Sequence, residues 1–223
     1  MKKQIVVVGL GRFGTSVAKT LFELGHDVMC IDSNERNVQD ISPFVTHAVQ
    51  ADGTNEETLR ELGITNFDVA IVAIGEKIEA SVMATALLKR LELPYIVAQA
   101  TNDLHGSILE KIGADKVVYP EVETGRRVAH RLASPSVVDY MPLTPHYGIC
   151  KMTPPPHFLD HTLAELELGV KEKYGLSVLA ITRREEVILN PTKFERVEAD
   201  DVLVIVGNDD QIERITKEKR SGS

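Results

Sequence analysis

The chain has 223 residues, of which 43% are hydrophobic, so it can bury a sizeable core but is long for one ordinary domain and short for two large ones. Its 25 basic and 33 acidic residues give a net charge of −8, which argues against nonspecific binding to nucleic acid or to an anionic lipid surface. We therefore expect one domain with a small second module and no nucleic-acid partner.

No apolar run approaches the roughly 20 residues that a membrane-spanning helix needs, and residues 1–3 lead directly into the first predicted strand. We expect a cytoplasmic protein without direct membrane insertion. The two cysteines, Cys30 and Cys150, lie in separate apolar runs and have no neighbour at metal-ligand spacing. They are predicted to be buried thiols of a reducing compartment.

The first predicted strand, Ile5 to Val8, ends at a glycine-rich turn and is followed by apolar residues at helical spacing: Val17, Ala18, Leu21 and Leu24. In this context Gly9 permits a tight turn, Gly11 lets the backbone approach a pyrophosphate, and Gly14 lets the helix pack close to the strand. The phosphates would lie at the helix N-terminus, where unpaired N–H groups and the helix dipole favour an anion.

A second strand, Val28 to Ile31, ends at Asp32. This spacing predicts a carboxylate that accepts hydrogen bonds from ribose hydroxyls, and its charge disfavours a 2′-phosphate. A strand, a glycine turn, a helix, a second strand and a terminal acid in succession indicate a nucleotide-binding domain more specifically than a glycine triplet alone. A doubly wound fold without a nucleotide is the alternative.

A short helix is predicted from Asn34 to Ile41 and a third strand from Val45 to Val49. Asp52 follows that strand and would share the rim of the glycine turn if the sheet is parallel. Asp52 can contact the adenine or the ribose, and capping of a helix from Glu56 to Leu62 is an equally good role for the segment Asp52-Gly-Thr54.

The fourth strand, Val69 to Ile74, is closed by Gly75, and the helix that follows, Ile78 to Leu91, is apolar or small on nearly every face. A surface helix should keep a wide polar stripe. We therefore expect the sheet to cover one side of this helix and a second copy of the protein to cover the other.

A fifth strand from Tyr95 to Ala98, a helix from Asn102 to Ile112 that stops at Gly113, and a sixth strand from Lys116 to Tyr119 complete a regular alternation. Such alternation predicts an α/β fold with a Rossmann-like, doubly wound parallel sheet.

Glu121 follows the sixth predicted strand, on the side of the sheet where the phosphates are expected. A carboxylate there would repel a triphosphate unless a cation came between them, which makes Glu121 a candidate ligand for a divalent ion. An acid at the start of a helix, favoured by the helix dipole, is the alternative interpretation.

Residues 134–146 follow a predicted helix from Glu123 to Leu132 and carry three prolines together with apolar residues. We expect a hinge or crossover linker whose apolar residues dock on another surface, such as that of a partner subunit. It would join a nucleotide-binding domain of residues 1–133 to a small β-rich α+β domain of residues 147–220. The strands and short helices predicted in that domain are Tyr147–Met152, Thr162–Leu168, Leu176–Thr182, Glu186–Leu189, Val202–Val206 and Asp209–Ile215.

The sequence has no motif for metalloprotease, acyl-transfer or P-loop chemistry, and its seven histidines form no cluster. A nicotinamide-dependent dehydrogenase would need a catalytic acid or base in a substrate domain larger than the residues that remain. We therefore expect a nucleotide sensor and not an enzyme, with a small NAD-dependent oxidoreductase as the alternative. Arg12, inside the glycine turn, can reach phosphates in its own site or in a neighbour's, or it can be a solvated side chain of the first helical turn.

Several motifs occur in order along the chain: Gly9-Leu-Gly-Arg-Phe-Gly14, Asp32, Ala51-Asp-Gly-Thr54, Ile112-Gly-Ala-Asp115, Tyr119-Pro-Glu121, Lys173-Tyr-Gly175 and Asp201-Val-Leu-Val-Ile-Val-Gly207. Together they resemble the KtrA/TrkA family of RCK (KTN) proteins, which are cytoplasmic regulatory subunits of bacterial potassium transporters and channels. The resemblance covers nearly the whole chain, and the second half looks like the TrkA-C (RCK-C) module of that family.

The resemblance implies Rossmann-type dimers that join into a ring, usually of eight subunits, beneath a potassium-translocating membrane protein. In that family ATP activates, ADP inactivates, and some members bind NAD(H). It also implies roles for three residues: Arg12 at the terminal phosphate, Asp32 at the ribose, and Glu121 as the ligand of a divalent cation at the nucleotide site between subunits. The other candidate nucleotide-contacting residues are Gly9, Gly11, Phe13, Gly14, Asp52 and Gly75.

Some relatives in this family bind cyclic di-AMP at the dimer interface of the C-terminal module. The corresponding segment here, Gly169 to Gly175, has Lys171 where such relatives have an arginine. The resemblance therefore leaves cyclic di-AMP open as a ligand, as it leaves open whether a ring holds four or eight subunits.

Overall fold

A computed structural model describes residues 2–133, 135–144, 146–168 and 175–217 of the chain. Within these ranges the chain forms two compact units that divide between Val122 and Glu123. None of the helices described is both long enough and apolar enough to cross a bilayer. Lys171 and the rest of 169–174, which the resemblance links to cyclic di-AMP, lie outside the described residues, as do Ser134 and residues 218–220 at the predicted domain boundaries.

The first unit contains a parallel sheet of six strands. They are Gln4–Val8 (β1), Asp27–Asp32 (β2), His47–Gln50 (β3), Val69–Val72 (β4), Ile96–Gln99 (β5) and Lys116–Val118 (β6). Their order across the sheet is β3-β2-β1-β4-β5-β6, and every neighbouring pair is parallel. The predicted Rossmann-like sheet is confirmed, with its switch point between β1 and β4, where doubly wound sheets bind their ligands.

Helices alternate with these strands: Arg12–Glu23 (α1), Glu35–Ile41 (α2), Glu56–Glu61 (α3), Ile78–Arg90 (α4), Asp103–Ile112 (α5) and Pro120–Ala133 (α6). The side chains of Asn34, Asn55 and Asn102 cap α2, α3 and α5 by accepting a backbone N–H. Gly113 closes α5 with a φ of 113°. The helix α6 begins at Pro120 rather than at the predicted Glu123, because a proline suits the first position of a helix.

Successive residues of β1 belong to two different cores. Val6 and Val8 pack in the core on one face of the sheet, and Ile5 and Val7 pack in the core on the other. Both faces are therefore covered, which explains why the strands of this sheet are continuous apolar runs. Cys30 is a buried free thiol in the second of these cores, as predicted.

The second unit contains a five-stranded antiparallel sheet with one core. Its elements are Val137–Thr144 (β7), Tyr147–Met152 (β8), Ser177–Arg183 (β9), Glu186–Leu189 (β10), Asp201–Asn208 (β11) and the helix Asp209–Lys217 (α7). The strand order is β10-β9-β11-β8-β7. The predicted β-rich domain is confirmed, and Cys150 is buried in its core as a free thiol.

The segment predicted as a hinge, residues 134–146, is mostly a strand. Val137–Thr144 forms β7, which lies at the edge of the sheet and pairs with β8. Val137 and Tyr140 are buried in the core of this unit, whereas Val138, Met141 and Leu143 are exposed, so docking of these three on a partner stays a prediction. Pro142 is tolerated because one side of an edge strand has no ladder partner, and the strand register shifts beside it.

The helix predicted at Thr162–Leu168 is wrong, because this segment forms turns and an isolated bridge from Thr162 to Arg196. Glu165 accepts hydrogen bonds from the backbone N–H and the hydroxyl of Thr162. That capping pattern, followed by leucines at helical spacing, is typical of a helix start. Glu167 then adopts a φ of 53°, which a continuing right-handed helix does not allow.

Candidate nucleotide-binding site

The glycine turn lies at the carboxyl end of β1, at the switch point of the sheet. The Gly9 N–H donates to the Ile31 carbonyl at 2.8 Å, and the Gly9 φ is +98°. A Cβ on Gly9 would lie 2.8 Å from the Ala73 carbonyl oxygen, beyond the end of β4. Only glycine fits this conformation and this space, so the predicted tight turn is confirmed.

Gly14 and Gly11 differ in what surrounds them. A Cβ on Gly14 would lie 2.0 Å from the Gly9 carbonyl oxygen, which confirms that this glycine allows α1 to pack closely against the turn. A Cβ on Gly11 would meet no atom within 4 Å, and its φ is −67°. The chain's own packing therefore does not require glycine at position 11, and the space in front of it is open to a bound group.

The N-terminus of α1 opens onto this space. Gly11 is the N-cap residue of α1, and no side chain caps the free N–H groups of the first turn of this helix. Arg12 is exposed and forms no ion pair with any residue that the structure describes. Phe13 is half-buried and packs against the core that contains Ile5 and Val7, so it anchors the first turn of α1 to the sheet. A first helical turn with unpaired donors and a free guanidinium suits a phosphate group.

Asp32 is tied to the glycine turn. Its Oδ2 accepts a hydrogen bond from the Leu10 N–H at 2.6 Å, and its Oδ1 accepts one from the Asn34 N–H at 2.8 Å. The carboxylate therefore joins the turn after β1 to the start of α2. Each oxygen retains a further lone pair for a ribose hydroxyl. The spacing of Asp32 is visible in the sequence, but its bond to the backbone of Leu10 is not.

Asp52 lies on an exposed turn after β3 and binds Thr54. Its Oδ1 accepts from the Thr54 hydroxyl at 2.7 Å and from the Thr54 N–H at 2.9 Å. These two bonds lower the pKa of Asp52, and the charge of Lys77 lowers it further. Asn55 caps the helix α3, so the capping role considered for the segment Asp52-Gly-Thr54 is wrong.

Gly53 brings that turn against β1. A Cβ on Gly53 would lie 2.3 Å from Cγ1 of Val8, so only glycine allows this approach. Asp52 is therefore held on the same edge of the sheet as the glycine turn. Its role in contacting a nucleotide stays a prediction.

An open cleft of about 430 Å³ adjoins the Asp52 turn, a volume typical of small-molecule sites. Its walls are Thr54 and the start of α4: Lys77, Ile78, Glu79, Ala80 and Met83. Ile78 and Met83 are 42% and 45% exposed. The second copy expected over this side of α4 therefore stays a prediction, and the exposed apolar atoms are available to a ligand or a partner.

Gly75 and Glu121 are linked through Gln99, a residue that the sequence pattern does not single out. A Cβ on Gly75 would lie 2.9 Å from Nε2 of Gln99. The same nitrogen donates to Oε1 of Glu121 at 3.4 Å. The ends of β4 and β5 and the start of α6 therefore meet on the edge that carries the glycine turn.

Glu121 is exposed and lies in the first turn of α6. Across the described part of the chain, no three His, Cys, Asp or Glu side chains are grouped so as to hold a metal ion. A cation at Glu121 would therefore need ligands from outside this set, and the predicted cation role is not tested by this arrangement.

Comparison with known protein families matches residues 5–120 to the TrkA-N domain and residues 151–220 to the TrkA-C domain. The chain is 41% identical to Ktr system potassium uptake protein C of Bacillus subtilis, over 97% of each chain. It is 39% identical to Ktr system potassium uptake protein A of the same organism, over 97% of this chain and 96% of that one. The names of these relatives describe potassium uptake and not an enzyme, in agreement with the expected non-enzymatic role.

Among solved structures, the chain is similar to the GsuK channel, with a TM-score of 0.68 and 17% identity. The similarity covers 99% of this chain and 40% of the channel chain, so this chain spans about two fifths of that protein. The GsuK RCK domain gives a TM-score of 0.66 at 16% identity, over 99% of this chain and 49% of that one. These identities establish the fold alone. Together with the full-length relatives and the two matched domains, they lead to one conclusion: the chain belongs to the KtrA/TrkA family of RCK proteins.

Proposed function

We propose that this chain is a cytoplasmic regulatory subunit that gates a membrane potassium transporter or channel, activated by ATP and inactivated by ADP. The observation that carries the proposal is the open space at Gly11, where the uncapped N-terminus of α1 lies beside Asp32. The similarity to Ktr system potassium uptake proteins along 97% of the chain supports the role in potassium uptake.

The nucleotide would bind across the glycine turn. Backbone N–H groups at the start of α1 would hold its phosphates, helped by the helix dipole and by Arg12. The ribose hydroxyls would donate to the lone pairs of Asp32 that Leu10 and Asn34 leave free. The base would extend toward Asp52 and the apolar wall of the adjoining cleft.

A divalent cation is part of this proposal. Glu121 and the terminal phosphate of ATP both carry negative charge, so a cation between them would turn repulsion into attraction. A single carboxylate suits Mg²⁺, which usually takes one or two carboxylates and completes its shell with phosphate oxygens and water. This chemistry fits the finding that no group of three protein ligands surrounds Glu121 among the described residues.

Discrimination between ATP and ADP follows from the same charges. A ligand can shift a conformational equilibrium only by the difference between its affinities for the two states. The terminal phosphate adds charge where Arg12 and a Glu121-bound cation would lie, so ATP and ADP would favour different states. The proposed assembly is a homodimer that joins further copies in a ring of eight and docks on a potassium-translocating membrane subunit.

Calorimetric titration of the purified chain with ATP, ADP and NADH, each with and without Mg²⁺, tests the site. NADH belongs in the series because one structural neighbour of this chain is the GsuK channel bound to NAD. Small-angle scattering and mass photometry in the same buffers test the response. We expect ATP to bind more tightly with Mg²⁺ than without it, and ATP and ADP to give particles of different shape. Equal affinities and one shape for all nucleotides would contradict the gating proposal.

A further inference from the structure

Gln99 is a largely buried residue whose side-chain amide makes one hydrogen bond to the described part of the chain. It is the last residue of β5 and is 6% exposed. Its Nε2 donates one bond, to Glu121 at 3.4 Å, which is at the weak end of the range. Its Oε1 accepts no hydrogen bond from the residues that the structure describes. Its polar atoms are not among the fully buried, partnerless ones of the described residues, so solvent or a bound group can reach the rest of the amide, and its one protein bond is the informative contact.

The amide lies between two parts of the candidate site. On one side it covers Gly75, where an added Cβ would lie 2.9, 3.2 and 3.5 Å from Nε2, Cδ and Oε1. On the other side it reaches Glu121, at the start of α6. A side chain at position 75 would displace the amide. The observed position of Gln99 therefore requires glycine at position 75.

Glu121 has no other hydrogen bond or ion pair within the described ranges, although its side chain is exposed and otherwise free to rotate. Gln99 is thus the group that restrains this carboxylate. Because an amide is neutral, it orients the carboxylate without cancelling the charge that a cation would need.

We propose that Gln99 is a positioning residue that holds the Glu121 carboxylate in place for a divalent cation bound with a nucleoside triphosphate. The inference rests on the proposed nucleotide function and deepens it. In this inference the Gln99 side chain connects the loop at Gly75 to Glu121 at the start of α6.

The test is calorimetric titration of the full chain with ATP, in Mg²⁺ and in EDTA. The variants are Gln99→Met, Glu121→Gln and the double variant. Methionine keeps the length of the side chain and removes both polar groups. The matched control is Gln39→Met, because Gln39 also donates to a glutamate, Glu35, at 3.0 Å, but on the exposed surface of α2.

We expect Gln99→Met to reduce the Mg²⁺-dependent gain in ATP affinity roughly three- to tenfold, as for a modest bond to a charged group. Affinity in EDTA should change little, and the control should match the unmodified chain. In the Glu121→Gln background, Gln99→Met should have no further effect, because the two residues act as a unit. If Gln99→Met does not fold, Gln99→Asn should show the same loss, since its amide is too short to reach Glu121.

A full Mg²⁺ gain in a folded Gln99 variant, or additive effects in the double variant, would overturn the inference while leaving the proposed function intact. ATP binding without any Mg²⁺ gain in the unmodified chain would overturn it together with the cation role of Glu121. No ATP binding to the unmodified chain would end both proposals.

Discussion

The backbone N–H of Leu10 donates to the carboxylate of Asp32 at 2.6 Å, so the turn that would hold the phosphates and the acid that would hold the ribose are directly bonded. Asp32 has therefore a structural role as well as a binding role. A substitution at this position must change both the stability of the turn and the affinity for nucleotide.

Asp32→Asn should lower ATP affinity by roughly 10- to 100-fold, because a charged acceptor for the ribose is lost. It should also lower the free energy of unfolding by about 1 kcal/mol, since the Leu10 N–H keeps only a neutral acceptor. Calorimetry and urea denaturation measure the two effects. Asp40→Asn is the control, because Asp40 is exposed and pairs only distantly, at 4.0 Å, with Arg36. Unchanged stability of Asp32→Asn would show that the Leu10 bond contributes nothing.

Gly11→Ala and Gly14→Ala should separate binding from folding. A methyl group at position 11 meets nothing within 4 Å, so stability should fall by less than about 1 kcal/mol while ATP affinity falls roughly tenfold or more. A methyl group at position 14 would lie 2.0 Å from the Gly9 carbonyl oxygen, so this variant should lose about 3 kcal/mol or fail to fold. Thermal melts and calorimetry decide. Normal ATP binding by Gly11→Ala would place the pyrophosphate elsewhere.

Acid should destabilise the second unit through Asp201. Its side chain is fully buried and accepts two bonds from the Arg183 guanidinium, at 2.8 and 2.9 Å. Burial alone would raise the pKa of Asp201, but these bonds and the Glu198 N–H outweigh it, so the pKa is lowered. A lowered folded-state pKa gives stability that is present above the unfolded-state pKa of about 4 and is lost as the pH falls through the folded-state value.

Asp201→Asn should therefore cost about 3 kcal/mol at pH 7 and should flatten the loss of stability below about pH 4. Urea denaturation monitored by circular dichroism between neutral and acid pH measures both effects. Asp200→Asn is the matched control, because Asp200 is the exposed residue in the turn directly before β11. An unaltered acid profile in Asp201→Asn would assign the acid sensitivity to other carboxylates.

The two cysteines should be unreactive in the folded chain. Burial raises the pKa of the Cys30 and Cys150 thiols to about 12, so almost no thiolate exists at pH 8. Iodoacetamide at pH 8 should label neither residue until urea unfolds the chain, as read by mass spectrometry. Rapid labelling of Cys150 alone would indicate that the second unit opens readily on its own.

The order of strands and helices in the first unit was predictable because its signals are local. Apolar runs mark the strands, and Asn34, Asn102 and Gly113 mark helix ends within a few residues of where they act. The roles of Gly9 and Gly14 were predictable for the same reason, since a strand–turn–helix sequence leaves little choice of geometry.

The partners of the site residues were not predictable, because they depend on contacts between distant segments. The hydrogen bond between Asp32 and Leu10 uses the backbone N–H of Leu10. Every non-proline residue carries this group, so the residue type at position 10 does not predict the bond. Gln99 was missed because it ends an apolar strand and its partner, Glu121, lies beyond the next strand.

The two errors in the second unit have opposite causes. At Thr162–Leu168 a genuine local signal, the Thr162–Glu165 capping pattern, is overruled by the left-handed conformation of Glu167. At Val137–Thr144 three nearby prolines suggested a hinge, whereas the segment pairs with β8 as an edge strand and buries only Val137 and Tyr140. Proline position relative to a sheet edge cannot be read from one sequence.

Pro142 lowers the tendency of the protein to aggregate at high concentration. β7 is the edge strand of its sheet among the described residues, has no backbone N–H at Pro142 and shifts register beside it. Such an edge is a poor template for the unlimited strand-to-strand addition that produces insoluble fibres. Replacing Pro142 with a β-branched residue would give this edge strand a further N–H donor and a more regular backbone, and would therefore raise its tendency to aggregate.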